Sequence, residues 1–223
     1  MSTRPTSTAP GRWQGDQGVA LVEAALITPV LLVLLLGMLD TAYLYRDYLT
    51  SGEAVADGAK VGAIQGNKTT STGATADYTI IAAMRQDTAT LRPADIDRIV
   101  IFKANASTYG SPLAQVPAQC KTSAGPVTNT CNVYVPLVAF YQVQTGNADY
   151  FKCLAGGQPA CGWNPLLTTA PSGRPDGPTP YDIAYLGVYM KLKHKNLTGL
   201  LGASKDIEVA SIARLEPGNI DPT

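Results

Sequence analysis

Histidine is almost missing from this chain: His194 is the only one among 223 residues. A Ser-His-Asp site or a zinc-protease centre would need that one imidazole. It stands between Lys193 and Lys195 near a strand end, where solvent exposure is expected. No G-x-S-x-G, P-loop or H-E-x-x-H motif occurs, nor a dinucleotide-binding glycine fingerprint in its proper context. Asp95 and Asp97 precede a strand and read as turn residues. The chain therefore reads as a non-enzyme with no cofactor. Charge is sparse and balanced, with 17 basic and 17 acidic residues and no basic block. That excludes nucleic acid as a main partner, because phosphate binding needs a basic face. C-x-x-C pairs are absent and the one histidine is remote from the four cysteines, so no metal is expected. Those cysteines are Cys120, Cys131, Cys153 and Cys161. An even count beyond an apolar segment fits disulfides in an oxidising compartment, with three pairings open. Cys120–Cys131 and Cys153–Cys161 are favoured, since short loops close most easily.

Set against these absences is one long apolar run. Val19 to Leu39 contains, as its only interruptions, Glu23, Thr28, Pro29 and Gly37. As a helix it covers about 30 Å, the thickness of a bilayer core. The run is longer than a cleaved signal h-region, and Asp40-Thr41-Ala42 is a poor signal-peptidase site, so the segment is expected to remain. Arg4 and Arg12 ahead of it place the N-terminus in the cytoplasm by the positive-inside rule, and Tyr43, Tyr45 and Tyr48 form an aromatic cluster at the outer end. Glu23 stands out. An ionisable group in lipid costs roughly 2.5–3.5 kcal/mol at mid-depth and is usually paired or functional. The simplest reading of the segment is a signal anchor for an exported binding domain, the alternative carried alongside the one below.

Past the membrane the helix is free to continue, because no proline occurs between Asp40 and Gly66. Leu44, Tyr48, Val55, Ala59 and Ala63 recur at helical steps. Ala54, Gly58, Gly62 and Gly66 make a smooth track suited to close helix packing, either under the protein's own sheet or against another subunit. Gly66-Asn67 ends the helix. Asp77 to Leu91 reads as a second helix with Tyr78, Ile81, Ala82 and Met84 inward, and Arg98 to Ala104 as a strand. Asn132 to Tyr141 reads as a strand broken or set at an edge by Pro136. Tyr185–Lys193 and Lys205–Leu215 alternate as two further strands around a Leu197–Gly202 loop. The fold class is α+β: a long N-terminal membrane-spanning helix leading into a pilin-like domain with a small antiparallel sheet and disulfide-tied loops. The expected division is a leader over 1–18, a transmembrane helix over 19–42, an extracytoplasmic domain over 43–216 with an irregular cysteine-bearing stretch at 105–180, and a tail at 217–223.

The stretch from Gly18 through Glu23 and Pro29 to the leucine run, Gly37 and Asp40 resembles the TadE-like family, pseudopilins of bacterial tight-adherence (Tad/Flp) pilus systems. Ala54 to Ala63 is similar to that family's small-residue helix. Val188 to Lys193, the Leu197–Gly202 loop and Ala210 to Glu216 resemble its last hairpin and terminal R-x-E. The cysteine-bearing middle has no counterpart. Ala24 departs from the major pilins, which carry an aromatic after the glutamate, and this favours a minor pseudopilin. The resemblance implies that a prepilin peptidase cuts between Gly18 and Val19. Glu23 then neutralises the new amine, in its own helix or on a neighbour. It implies as partners the membrane, the peptidase, other pilins or pseudopilins and the pilus assembly platform.

Overall fold

The computed structural model describes residues 16–66, 75–104, 116–152, 161–165, 174, 185–199 and 202–215. One helix, α1, runs from Asp16 to Gln65 without a break at Pro29, and its 50 residues extend about 75 Å. It stops where Gly66 takes φ +53° and returns its N–H to the Gly62 carbonyl at 2.8 Å. That positive φ is open to glycine at little cost. Helix α2 (Ala76–Asp87) is capped by Thr75, whose hydroxyl accepts from the Tyr78 N–H, with Asp77 in its first turn. Its buried positions are Ile80, Ile81 and Met84, whereas Tyr78 and Ala82 are only half-buried. The helical pattern expected to reach Leu91 tightens into a 3-10 turn at Thr88–Thr90.

Four strands follow: β1 (Ile96–Ala104), β2 (Cys131–Tyr134), β3 (Tyr185–Lys195) and β4 (Ser204–Arg214). They form one antiparallel sheet in the order β2-β1-β3-β4. Short helices α3 (Ala118–Thr122) and α4 (Pro136–Gln144) flank β2. Here the expected strand over Asn132–Tyr141 is corrected. Pairing with β1 ends at Tyr134, and Pro136 begins a helix instead of marking a sheet edge. Proline lacks the N–H a ladder needs, and at a first helical turn that loss costs nothing.

The period-2 pattern places Ile99 and Ile101 of β1, with Leu186, Val188, Met190 and Leu192 of β3, on one face. That face packs against Val55 and Ala59 of α1 and Ile80, Ile81 and Met84 of α2, and these side chains form the main core. Each such fully buried aliphatic side chain contributes about 1.5–3 kcal/mol. The opposite face carries Val100, Phe102, Val133 and Tyr189 under Val116, Cys120 and Cys131. The expected Cys120–Cys131 disulfide is present and holds α3 over that second layer. Cys161 is also disulfide-bonded, while Cys153 lies outside the described residues. At Gly187, a Cβ would fall 2.1 Å from the Phe102 ring, which lies across the strand at the paired position.

Candidate functional site: the apolar stalk and its junction with the domain

From Gly18 to Leu39, α1 stands clear of the domain and its large apolar side chains are bare, with Leu26 70% and Met38 71% exposed. None of the most apolar window of this helix is buried. A bare surface of this kind marks a site of contact with lipid or protein. Its length and composition fit a single-pass membrane anchor. The polar interruptions are handled within the helix: Thr28 donates to the Ala24 carbonyl at 2.6 Å and Thr41 to the Gly37 carbonyl at 2.8 Å. Both bonds spare a hydroxyl from standing unpaired on the apolar helix. Glu23 lies four residues after Val19, so the two share one helix face a single turn apart. Among the described residues Glu23 has no ion-pair partner.

The stalk joins the domain through two carboxylates. Asp40 is 1% exposed; it accepts the Leu197 N–H at 2.9 Å and the Thr198 hydroxyl. Asp47 pairs with His194 Nδ1 at 2.7 Å. Seven residues make nearly two turns, so Asp40 and Asp47 point the same way and grip the β3–β4 hairpin at its tip and stem. His194 is thereby buried at 5% exposure, which corrects the expectation of a solvent-facing imidazole. Its neighbours Lys193 and Lys195 are exposed, as strand alternation requires. The hairpin tip carries Leu197, 70% exposed, to the level at which α1 leaves its apolar span. The roles of Asp47 and His194 were not read from sequence. The available signal was the Asp40/Asp47 spacing at the foot of an apolar helix.

The small-residue track faces the protein's own interior. A Cβ at Gly58 would meet Met84 at 2.9 Å, and one at Gly62 would meet Leu186 at 2.7 Å and Ile80 at 2.9 Å. Its neighbours are thus α2 and β3 together. Gly66 serves as the helix cap, and among the described residues a Cβ there would meet Leu215 at 4.0 Å.

A second polar cluster lies deep between α2 and β2. Asp77 and Arg174, both fully buried, pair at 2.5 Å. The other Asp77 oxygen accepts from Asn132 and from the Tyr134 hydroxyl, each at 2.7 Å. Asn132 Oδ1 accepts the Gly162 and Trp163 N–H groups at 2.8 Å, and the Arg174 guanidinium lies 4.5 Å from the Trp163 ring centre. Burial, reinforced by the Asp77 charge, pushes the Tyr134 phenol well above its ordinary value. On the other sheet face the Lys121 hydrogen bond holds Glu208 below the usual carboxylate range. Burial, then the Glu208 charge, raises Tyr189. These groups fasten loops to the sheet. Among the described residues no group of three or more metal-ligating side chains occurs.

Residues 18–60 match the family model described as TadE-like protein. The match opens at Gly18 and takes in Val19, Glu23, Asp40, Asp47 and Gly58. No curated protein and no solved structure matches the chain. Over residues 18–60, which include the bare apolar stalk and the hairpin-gripping carboxylates Asp40 and Asp47, the chain is similar to the TadE-like family.

Proposed function

We propose that this protein is a minor pseudopilin of a bacterial Tad/Flp-type pilus or secretion machine. The observation that carries the reading is the family match, which begins on the glycine of the expected cleavage site. In this reading residues 1–18 are a cytoplasmic leader, 19–42 cross the inner membrane, and 43–216 form the extracytoplasmic domain, followed by a short tail. A prepilin peptidase cuts after Gly18, where the missing side chain leaves the backbone unobstructed. The new Val19 ammonium then sits one turn from Glu23. Burying either charge alone among apolar helices is costly, so pairing them, within one helix or between neighbouring subunits, offsets part of that cost. The pairing lets the helix tip enter an apolar bundle of other pilins on the assembly platform. Ala24 after the glutamate supports a minor subunit over the main one.

Replacing Glu23 with Ala tests this. The variant should stay in the membrane fraction, be processed, and fail to support pilus assembly, whereas Glu23→Asp should keep part of the function. Full assembly with Glu23→Ala would overturn the role given to the carboxylate.

A further inference from the structure

A cleft of about 280 Å³ opens beside the stalk junction, between α1 at Tyr43–Asp47, the Arg92–Asp95 turn and the end of β3. Four permanent cations line it: Arg46, Arg92, Lys193 and Lys195. Two carboxylates answer them. Asp47 takes Arg46 at 2.9 Å and His194 at 2.7 Å, while Asp95 takes Lys195 at 2.7 Å and Arg92 at 3.6 Å. The cleft is left with a surplus of positive charge, in a chain whose overall charge is zero. Among the described residues Lys193 has no ion-pair partner. His194 adds a second observation. With Nδ1 engaged by Asp47, its Nε2 is buried and lacks a hydrogen-bond partner among the described residues.

Height along the helix identifies what such a cleft meets. Tyr43 lies about 6 Å and Asp47 about 12 Å beyond Leu39, at 1.5 Å per residue. The headgroup layer on each side of a bilayer core is about 5–7 Å thick. The cleft therefore begins within that layer and rises just above it. Leu197, bare at its rim, points to the same level.

We propose that this cleft binds the headgroup of an anionic glycerophospholipid in the leaflet from which α1 emerges. The phosphate sits among Arg92, Lys193 and Lys195. The bound lipid fixes the domain's height and tilt on the bilayer before the subunit is passed to an assembly. This rests on the reading of Val19–Leu39 as membrane-inserted.

The full-length protein, reconstituted in nanodiscs of mixed phosphatidylcholine and phosphatidylglycerol, should retain phosphatidylglycerol when released and weighed by native mass spectrometry. The double variant Arg92→Gln/Lys193→Gln removes two cations without stripping Asp95 of Lys195. Each basic residue beside an anionic leaflet is worth roughly fivefold, so retention should weaken about thirtyfold. Lys205→Gln is the control. Lys205 pairs across the hairpin with His194 at the same height but lines a different groove. Equal loss with Lys205→Gln, or unchanged retention in the double variant, would overturn the site in favour of diffuse adsorption. Displacement of the lipid by millimolar inorganic phosphate would overturn the lipid in favour of a free anion. Extraction of the wild-type protein by alkaline carbonate would overturn the membrane reading itself. Firm membrane retention without phosphatidylglycerol preference would overturn this proposal alone.

Discussion

Asp77→Ala removes the centre of the buried polar cluster and takes the Asp77 carboxylate away from the buried Arg174 guanidinium. Asp77 and Arg174 are both fully buried, and Asp77 also accepts from Asn132 and Tyr134. Breaking a buried ion pair by deleting one partner costs about 3–5 kcal/mol, mostly because the remaining charge is stranded. Tyr134→Phe deletes one hydrogen bond to a charged acceptor that keeps two other donors, so its cost is about 1.5–3 kcal/mol. For a domain of this size 1 kcal/mol shifts Tm by about 2–4 °C, so Asp77→Ala should melt roughly 6–20 °C lower. The assay is urea and thermal unfolding of the full chain in mild detergent, where the stalk stays helical and the transition reports the domain. Replacing both Asp77→Ala and Arg174→Met should cost less than the sum of the single changes, because the stranded charge is gone. A loss below about 1 kcal/mol for Asp77→Ala, or strict additivity in the cycle, would refute the reasoning.

Two further outcomes are expected. Asp40→Ala should release the hairpin tip, so that the Leu197 amide, now bonded to the Asp40 carboxylate, exchanges faster with deuterium while amides of β1 are unchanged. Protection retained at Leu197 would show that the hairpin docks without Asp40. Tyr134, Tyr150 and Tyr189 all have phenols raised by burial above the ordinary value near 10. The folded state holds these protons after the unfolded chain has lost them, so stability is full below pH 10 and falls as pH rises beyond it. Denaturation midpoints across that range, with absorbance at the tyrosinate band, check the sign. A rise in stability above pH 10 would contradict it.

Much of the architecture was legible because its signals are local. The apolar run from Val19 and the absence of proline between Asp40 and Gly66 pointed to the long helix, and Gly66 to its end. Strict alternation over Tyr185–Lys193 gave β3 and its buried face. The short Cys120–Cys131 spacing gave the disulfide. What was missed depends on distant partners. His194 between two lysines looks exposed until Asp47, far away in sequence, is brought to within 2.7 Å. Asp77 looks like an ordinary first-turn acid until Arg174 reaches it from the cysteine-bearing stretch. Pro136 was ambiguous because the same missing N–H suits a sheet edge and a helix start equally. The glycine track was open between neighbours within the chain and between chains. Only the positions of Met84, Ile80 and Leu186 fix what Gly58 and Gly62 touch.

The central claim is that the helix tip is trimmed after Gly18 so that Glu23 meets a new terminus. Peptide mapping of the protein recovered from membranes of cells with an active prepilin peptidase tests it most directly. An N-terminal peptide starting at Val19, shifting to one that retains the leader when the peptidase is deleted, is the result this account expects. A mature chain that still carries the leader in both strains, or one that begins beyond Ala42, would contradict it.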